Sequence, residues 1–158
     1  MRRFVFSLQK VLDYRQRLEE QAIRAFAEAQ AQLTHEQAVL HKLLIEREEC
    51  LRRSHRRQHL SVELLAVEQT YLSALEERIE QQRQRVAEAE KVLEEKRQAL
   101  IEAQRERKTM ELLREKQYEQ WRQEWLRTEQ KALDDLATVR ATIAPALLTM
   151  QAGGEEHE

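Results

Sequence analysis

An all-α fold, an antiparallel two-helix coiled-coil hairpin with a longer second helix, is predicted by three features of this chain. The stretch from Ser61 to Ile143 contains neither Pro nor Gly. Apolar residues recur through it at alternating spacings of three and four, the narrow seam of a coiled coil rather than the broad stripe of a globular helix. Charged residues make up 35% of the chain against 5% aromatic, with 2 Gly and 1 Pro in 158 residues, which is the composition of long helices. Disorder would account for the polarity but not for the regular apolar spacing. As one helix the stretch would run on the order of 120 Å at about 1.5 Å per residue. It cannot enclose a core of its own and needs another helix alongside.

The first helix is expected over residues 4–53. Its early register is Phe4, Leu8, Val11, Leu18 and Ala22, after which an extra step of four moves the seam onto Phe26, Ala29, Leu33, Leu40, Leu43 and Cys50. Such a stutter locally unwinds a left-handed supercoil. Arg15 and Glu36 fall at core positions, where polar side chains set register at a cost in stability. Ala22, Ala25 and Ala29 let a partner backbone approach closely.

Periodicity lapses over residues 54–60, where the turn is placed from lost pattern alone, since no Gly or Pro marks it. Ser61 suits an N-cap, and Glu63 in the following turn complements the helix dipole. The second helix is expected over residues 61–143, with its seam on Leu65, Leu72, Leu75, Ile79, Val86, Ala89, Leu93, Leu100, Ala103 and Met110. A short connection makes the two helices antiparallel neighbours. With equal rise on both, facing position numbers total roughly 115, which sets Leu8 near Arg107.

On that pairing the first helix runs out near residue 110. Beyond it the second helix carries Leu113, Tyr118, Trp121, Trp125, Leu126, Ala132, Leu133, Leu136, Val139 and Ile143, including both tryptophans of the chain. Trp121 and Trp125, one turn apart, share a face. Exposed apolar surface of that size marks an interaction site. Pro145 is expected to end the helix between Ile143 and Ala146. Residues 1–146 thus form a single hairpin, and residues 147–158 a flexible acidic tail.

The net charge of −2 arises from 27 basic and 29 acidic residues intermingled, so no global field selects nucleic acid or anionic lipid. A single Cys50 excludes an intrachain disulfide and suits a reducing compartment. No apolar run approaches the ~20 residues that span a bilayer, and the N-terminus lacks the apolar region of a signal peptide. A cytoplasmic protein is expected.

The opening Phe4-Val5-Phe6-Ser7-Leu8-Gln9-Lys10-Val11-Leu12-Asp13-Tyr14-Arg15, followed by Glu19-Glu20-Gln21-Ala22 and by Tyr71-Leu72-Ser73-Ala74-Leu75, resembles the flagellar FliJ protein family. The resemblance covers nearly the whole chain and is one of apolar and polar positions rather than a catalytic signature. It implies a cytoplasmic component of flagellar type III export, similar to the central stalk of rotary ATPases. That component sits peripheral to the inner membrane at the flagellar base, through partners only. The implied partners are the hexameric export ATPase, the cytoplasmic domain of the export gate, and export chaperones.

For the ATPase ring the residues are Phe4, Leu8, Tyr118, Trp121, Arg122, Trp125, Arg127, Leu136 and Val139, with Trp and Arg expected to dominate the interface. For the export gate, alignment to the family pattern gives Gln37, His41, Leu44, Tyr71, Leu75 and Gln82. His41 and Glu48 depart from the apolar or aromatic types expected there, and Leu75 doubles as a core residue.

Other constellations are weaker. The basic stretch Arg47, Arg52, Arg53, His55, Arg56, Arg57 and His59 suits an acidic protein surface or phosphate, but reads first as a solvated hairpin end. No base-stacking aromatic or groove-reading motif accompanies it, which argues against nucleic acid. His55 and His59 stand at metal-ligand spacing, but arginines flank them and no carboxylate or thiol completes a shell. A two-helix hairpin offers no cleft in which to shift a catalytic pKa, and its only glycines, Gly153 and Gly154, form no phosphate loop. No enzyme activity and no cofactor are expected. The alternative to the export role is a self-associating structural coiled-coil scaffold, in which the overhang pairs with its own copy.

Overall fold

The structure, a computed structural model, describes residues 3–56 and 61–152, with side chains as far as residue 143. Two helices account for it: α1 (Gln9–Arg56, 48 residues) and α2 (Val62–Ala152, 91 residues), an antiparallel hairpin with the longer arm second. Contacts divide the chain into two units, Val11–Lys108, and Met1–Lys10 together with Thr109–Glu158.

Helix α1 starts at Gln9, not at residue 4. The segment before it is irregular and closes with a turn in which the Gln9 amide donates to the Phe6 carbonyl at 3.1 Å. At its other end α1 runs on to Arg56, through part of the expected turn; residues 57–60 lie outside the described residues. Arg53, His55 and Arg56 in the last turn oppose the negative end of the helix dipole. Ser61 caps α2 as expected. Its hydroxyl accepts from the Leu64 amide at 3.3 Å and its carbonyl from the Leu65 amide at 3.1 Å.

Pro145 does not end α2, which continues to Ala152. A proline removes one backbone donor and crowds the turn before it, a cost of about 3 kcal/mol. The good helix formers Ala146, Leu147 and Leu148 carry the helix past it. Of the expected acidic tail, residues 147–152 are therefore helical, and 153–158 lie outside the described residues.

Within the unit Val11–Lys108 the α1 seam is an unbroken heptad: Leu12, Arg15, Glu19, Ala22, Phe26, Ala29, Leu33, Glu36, Leu40, Leu43, Arg47 and Cys50 are all buried or half-buried. The expected stutter is absent. Reading apolar residues alone selected Leu8 and Val11, both of which are exposed, whereas Leu12 at 1% exposure is the true opening position. Arg15 and Glu36 occupy the seam as expected, while Glu19 rather than Leu18 continues it, and Arg15 and Glu19 each meet an opposite charge. Arg15 pairs with Glu106, and Glu19 with Arg107.

On α2 the burial peaks at Leu75, Ile79 and Gln82. Leu72, Val86, Ala89, Leu93, Leu100 and Ala103 are half-buried, while Leu65 is exposed and does not join the seam. The expected pairing offset is also corrected. Glu36 meets Gln82, nearly one turn beyond the residue expected opposite it, and Arg107 faces Glu19. Gln82, only 4% exposed, donates through Nε2 to the Glu36 carbonyl at 3.0 Å and to its carboxylate at 2.5 Å. Both partners of this buried polar layer are thereby satisfied.

Leu75→Ala is expected to lower stability by about 3 kcal/mol, the usual cost of a cavity at a buried leucine. Gln82→Leu, which removes the donor to the Glu36 carbonyl and Oε2 while Gln32 still donates to Oε1, should cost about 1 kcal/mol. Pairing it with Glu36→Leu should restore or exceed the original melting temperature, and thermal denaturation followed by circular dichroism reads all three.

Candidate functional site

The unit formed by Met1–Lys10 and Thr109–Glu158 contains a run of four aromatic rings. Helical spacing brings Tyr118, Trp121 and Trp125 to one face of α2, and the irregular segment before α1 lays Phe4 against them. Phe4 meets Tyr118 edge-on, with centroids 5.3 Å apart and planes at 81°, and Trp121 at 5.9 Å and 54°. Tyr118 and Trp121 stack at 5.8 Å and 28°, Trp121 and Trp125 at 6.5 Å and 15°. Both edge-on and offset-stacked arrangements bring the positive ring edge toward a neighbour's negative face, a gain of about 0.5–1.5 kcal/mol per pair beyond area burial. An open notch of about 460 Å³ lies beside the cluster, between Phe4, Glu111, Arg114, Glu115 and Tyr118.

The indoles are therefore not bare, as a solitary helix would leave them. Both are half-buried, and Phe4 supplies part of the cover. Phe6, which the apolar register passed over, is buried as well. Its signal in the sequence was alternation, Phe4 and Phe6 flanking exposed Val5, which is the period of extended chain rather than of helix. Leu8, expected to belong to the same group, is exposed in the turn before α1.

Past Trp125 the same face of α2 continues uncovered through Ala132, Leu136, Val139 and Ile143, with Leu136 60% exposed. Trp121, Ala132 and Ile143 recur every eleven residues, as do Trp125 with Leu136 and Thr128 with Val139. This period of about 3.67 residues per turn drifts around the helix in the opposite sense to the seven-residue repeat of the seam, the pattern of a right-handed rather than a left-handed supercoil. Hydroxyls on this stretch are turned inward to their own helix. Thr128 donates to the Trp125 carbonyl at 2.7 Å, Thr138 to that of Asp134 at 2.8 Å, and Thr142 to that of Val139 at 2.8 Å. The apolar line thus runs without an unmet polar group at those threonines. Arg122 and Arg127 are exposed, Arg122 paired with Glu119 at 3.8 Å.

The second predicted group is not brought together on one surface. Gln37, His41 and Tyr71 are exposed and Leu44 half-buried, but Leu75 and Gln82 are buried in the helix–helix seam. Gln82 spends its amide on Glu36. The Tyr71 hydroxyl donates to the Glu46 carboxylate across the hairpin. That hydrogen bond, together with desolvation and the carboxylate's charge, raises the phenol above its ordinary 10.0. The contact is made by the protonated phenol, so it is present through neutral pH and is lost as pH rises through the raised value. Among the described residues no group of His, Cys, Asp and Glu could hold a metal ion, and His59 lies outside them.

Residues 4–143 match the family model described as flagellar FliJ protein. Among solved structures the chain is similar to a putative YscO homologue, CT670, from Chlamydia trachomatis. The TM-score is 0.68 at 21% identity, covering 91% of this chain and 99% of that one. No match was found among curated proteins.

Phe4→Ala is expected to shift tryptophan emission to the red and to increase acrylamide quenching, because Trp121 loses its cover while the helices persist. An unchanged spectrum would contradict the contact. In an ultraviolet titration, the step lost on Tyr71→Phe should lie above pH 10.0.

Proposed function

This chain belongs to the flagellar FliJ protein family, and from that premise we propose that it acts in flagellar type III export as a non-enzymatic helical stalk on the hexameric export ATPase. The observation that carries the reading is the aromatic and aliphatic face of the α2 overhang, running from Tyr118 to Ile143, whose distal half is exposed at Leu136, Val139 and Ile143. A ring lumen lined by apolar and acidic side chains would cover that face and meet Arg122 and Arg127. Trp121, Trp125, Leu136 and Val139 are the anchors in this proposal, since large buried rings and arginines carry most interface energy. Phe4 holds Tyr118 and Trp121 in place at the root, and Leu8 flanks it.

The finer partners follow the family. Docking to the cytoplasmic domain of the export gate would use the exposed residues Gln37, His41 and Tyr71 with Leu44. Leu75 and Gln82 would serve that surface from beneath, by holding the two helices in register. Escort of export chaperones and a cytoplasmic position peripheral to the inner membrane, at the flagellar base, complete the proposal. No helix among the described residues is long and apolar enough to cross a membrane.

Trp121→Ala combined with Trp125→Ala should leave helicity intact and abolish stimulation of ring assembly and ATP hydrolysis. Leu136→Ser with Val139→Ser should weaken binding at least tenfold, about 1.4 kcal/mol. A wild-type chain that sediments as a tight dimer, and loses that dimer in the tryptophan variant, would favour the self-associating scaffold instead.

A further inference from the structure

The exposed stripe of α2 has a spacing that reads the same in both directions. From Trp121 to Ile143 it steps by four, three, four, four, three and four residues, a series symmetric about Ala132. A second copy of the helix, laid antiparallel with the two Ala132 side by side, therefore sets every stripe residue opposite another. Trp121 falls opposite Ile143, Trp125 opposite Val139 and Thr128 opposite Leu136, so each indole meets a smaller aliphatic side chain. Parallel pairing would set indole on indole at one end. The two alanines at the centre let the backbones approach closely, and Leu136, Val139 and Ile143 are all more than half exposed in the single chain.

Handedness and charge select the same occupant. A helix with a seven-residue repeat supercoils the wrong way for this stripe, whereas a second copy carries the same eleven-residue repeat and coils with the same hand. At about 98° per residue, Lys131 and Asp135 lie on one flank of the stripe and Leu133 on the other. The two-fold symmetry of the pair then brings Lys131 of each copy within about 3 Å, measured along the axis, of Asp135 of the other, and the two Leu133 equally close over the opposite flank. Among the described residues neither Lys131 nor Asp135 has an ion pair, and Leu133 is 61% exposed. At the outer ends Arg140 comes toward Arg122 of the second copy, a like-charge approach tempered by Glu119, which stands 3.8 Å from Arg122.

We infer that a second copy of this chain covers the stripe, antiparallel and centred on Ala132, with reciprocal Lys131–Asp135 ion pairs. The contact is one helix wide and buries on the order of 1,000 Å², the size of a transient interface rather than of a permanent one. It is therefore a weak dimer, distinct from the tight one of a scaffold. The ATPase ring is proposed to take the same residues, so a paired chain withholds its docking face from the ring. That consequence rests on the ring reading; the pairing does not.

The test uses the full chain alone, so its outcome is independent of the ATPase. Sedimentation velocity between about 1 and 100 μM should show a monomer passing to a dimer, half-dissociated on the order of 10 μM. Lys131→Asp or Asp135→Lys should each weaken pairing about tenfold, because like charges then meet across the two-fold axis, and the two combined should restore it. In a Cys50→Ala background, an oxidised mixture of Thr128→Cys and Leu136→Cys chains should cross-link, whereas neither variant should cross-link by itself. Circular dichroism verifies that every variant is helical. A monomer throughout, a dimer that persists at about 0.1 μM, cross-linking of either cysteine variant alone, no cross-linking of the mixture, or a combined charge variant no stronger than the single ones would each overturn the inference.

Discussion

A narrow apolar line along a helix has to be covered by something, and in this protein the cover is shorter than the line. Helix α1 supplies 48 residues and α2 presents 91. Where the two pair, Leu12, Leu75 and Ile79 are almost wholly removed from water, each contributing about 1.5–3 kcal/mol. With only two helices, most other seam positions are half-buried, so stability depends on many small contributions and a few fully covered sites. The face proposed for the ATPase ring is on α2, where Leu136, Val139 and Ile143 are exposed.

Polar side chains within the seam compensate in specificity for what they cost in burial. A heptad of hydrophobic residues alone tolerates slippage by a whole repeat. The Gln82 amide, hydrogen-bonded to both the carbonyl and the carboxylate of Glu36, penalises any such slip with an unmet buried donor. The ion pairs Arg15 with Glu106 and Glu19 with Arg107 add charge matching at the other end of the unit. Their side chains are partly solvated, so their contribution is modest and salt-sensitive, and it acts on register more than on stability.

The overhang is built to a different period. A seven-residue repeat drifts around a helix and invites a partner that supercoils with it, as α1 does. An eleven-residue repeat drifts the other way, the pattern of a right-handed supercoil, so it does not match the left-handed seam that α1 covers. The aromatic cluster at its root is pre-ordered by Phe4. Less side-chain freedom would then be lost in the proposed docking of the indoles.

Helix number, antiparallel order, the longer second arm and the apolar overhang were all legible in the sequence, because each depends on spacing along the chain or on a local cap such as Ser61. The resemblance carried by Phe4 to Arg15 also pointed to the family that the match over residues 4–143 establishes. What sequence could not supply was register across the pair. That depends on two segments far apart in the chain, and a charged residue such as Glu19 can occupy a seam position when an opposite charge waits across the interface. For the same reason the commitment of Gln82 to Glu36, the cover of Phe4 on Trp121 and the exposure of Leu65 were decided only by tertiary structure. Each is a contact made, or left unmade, with a residue that local periodicity does not see.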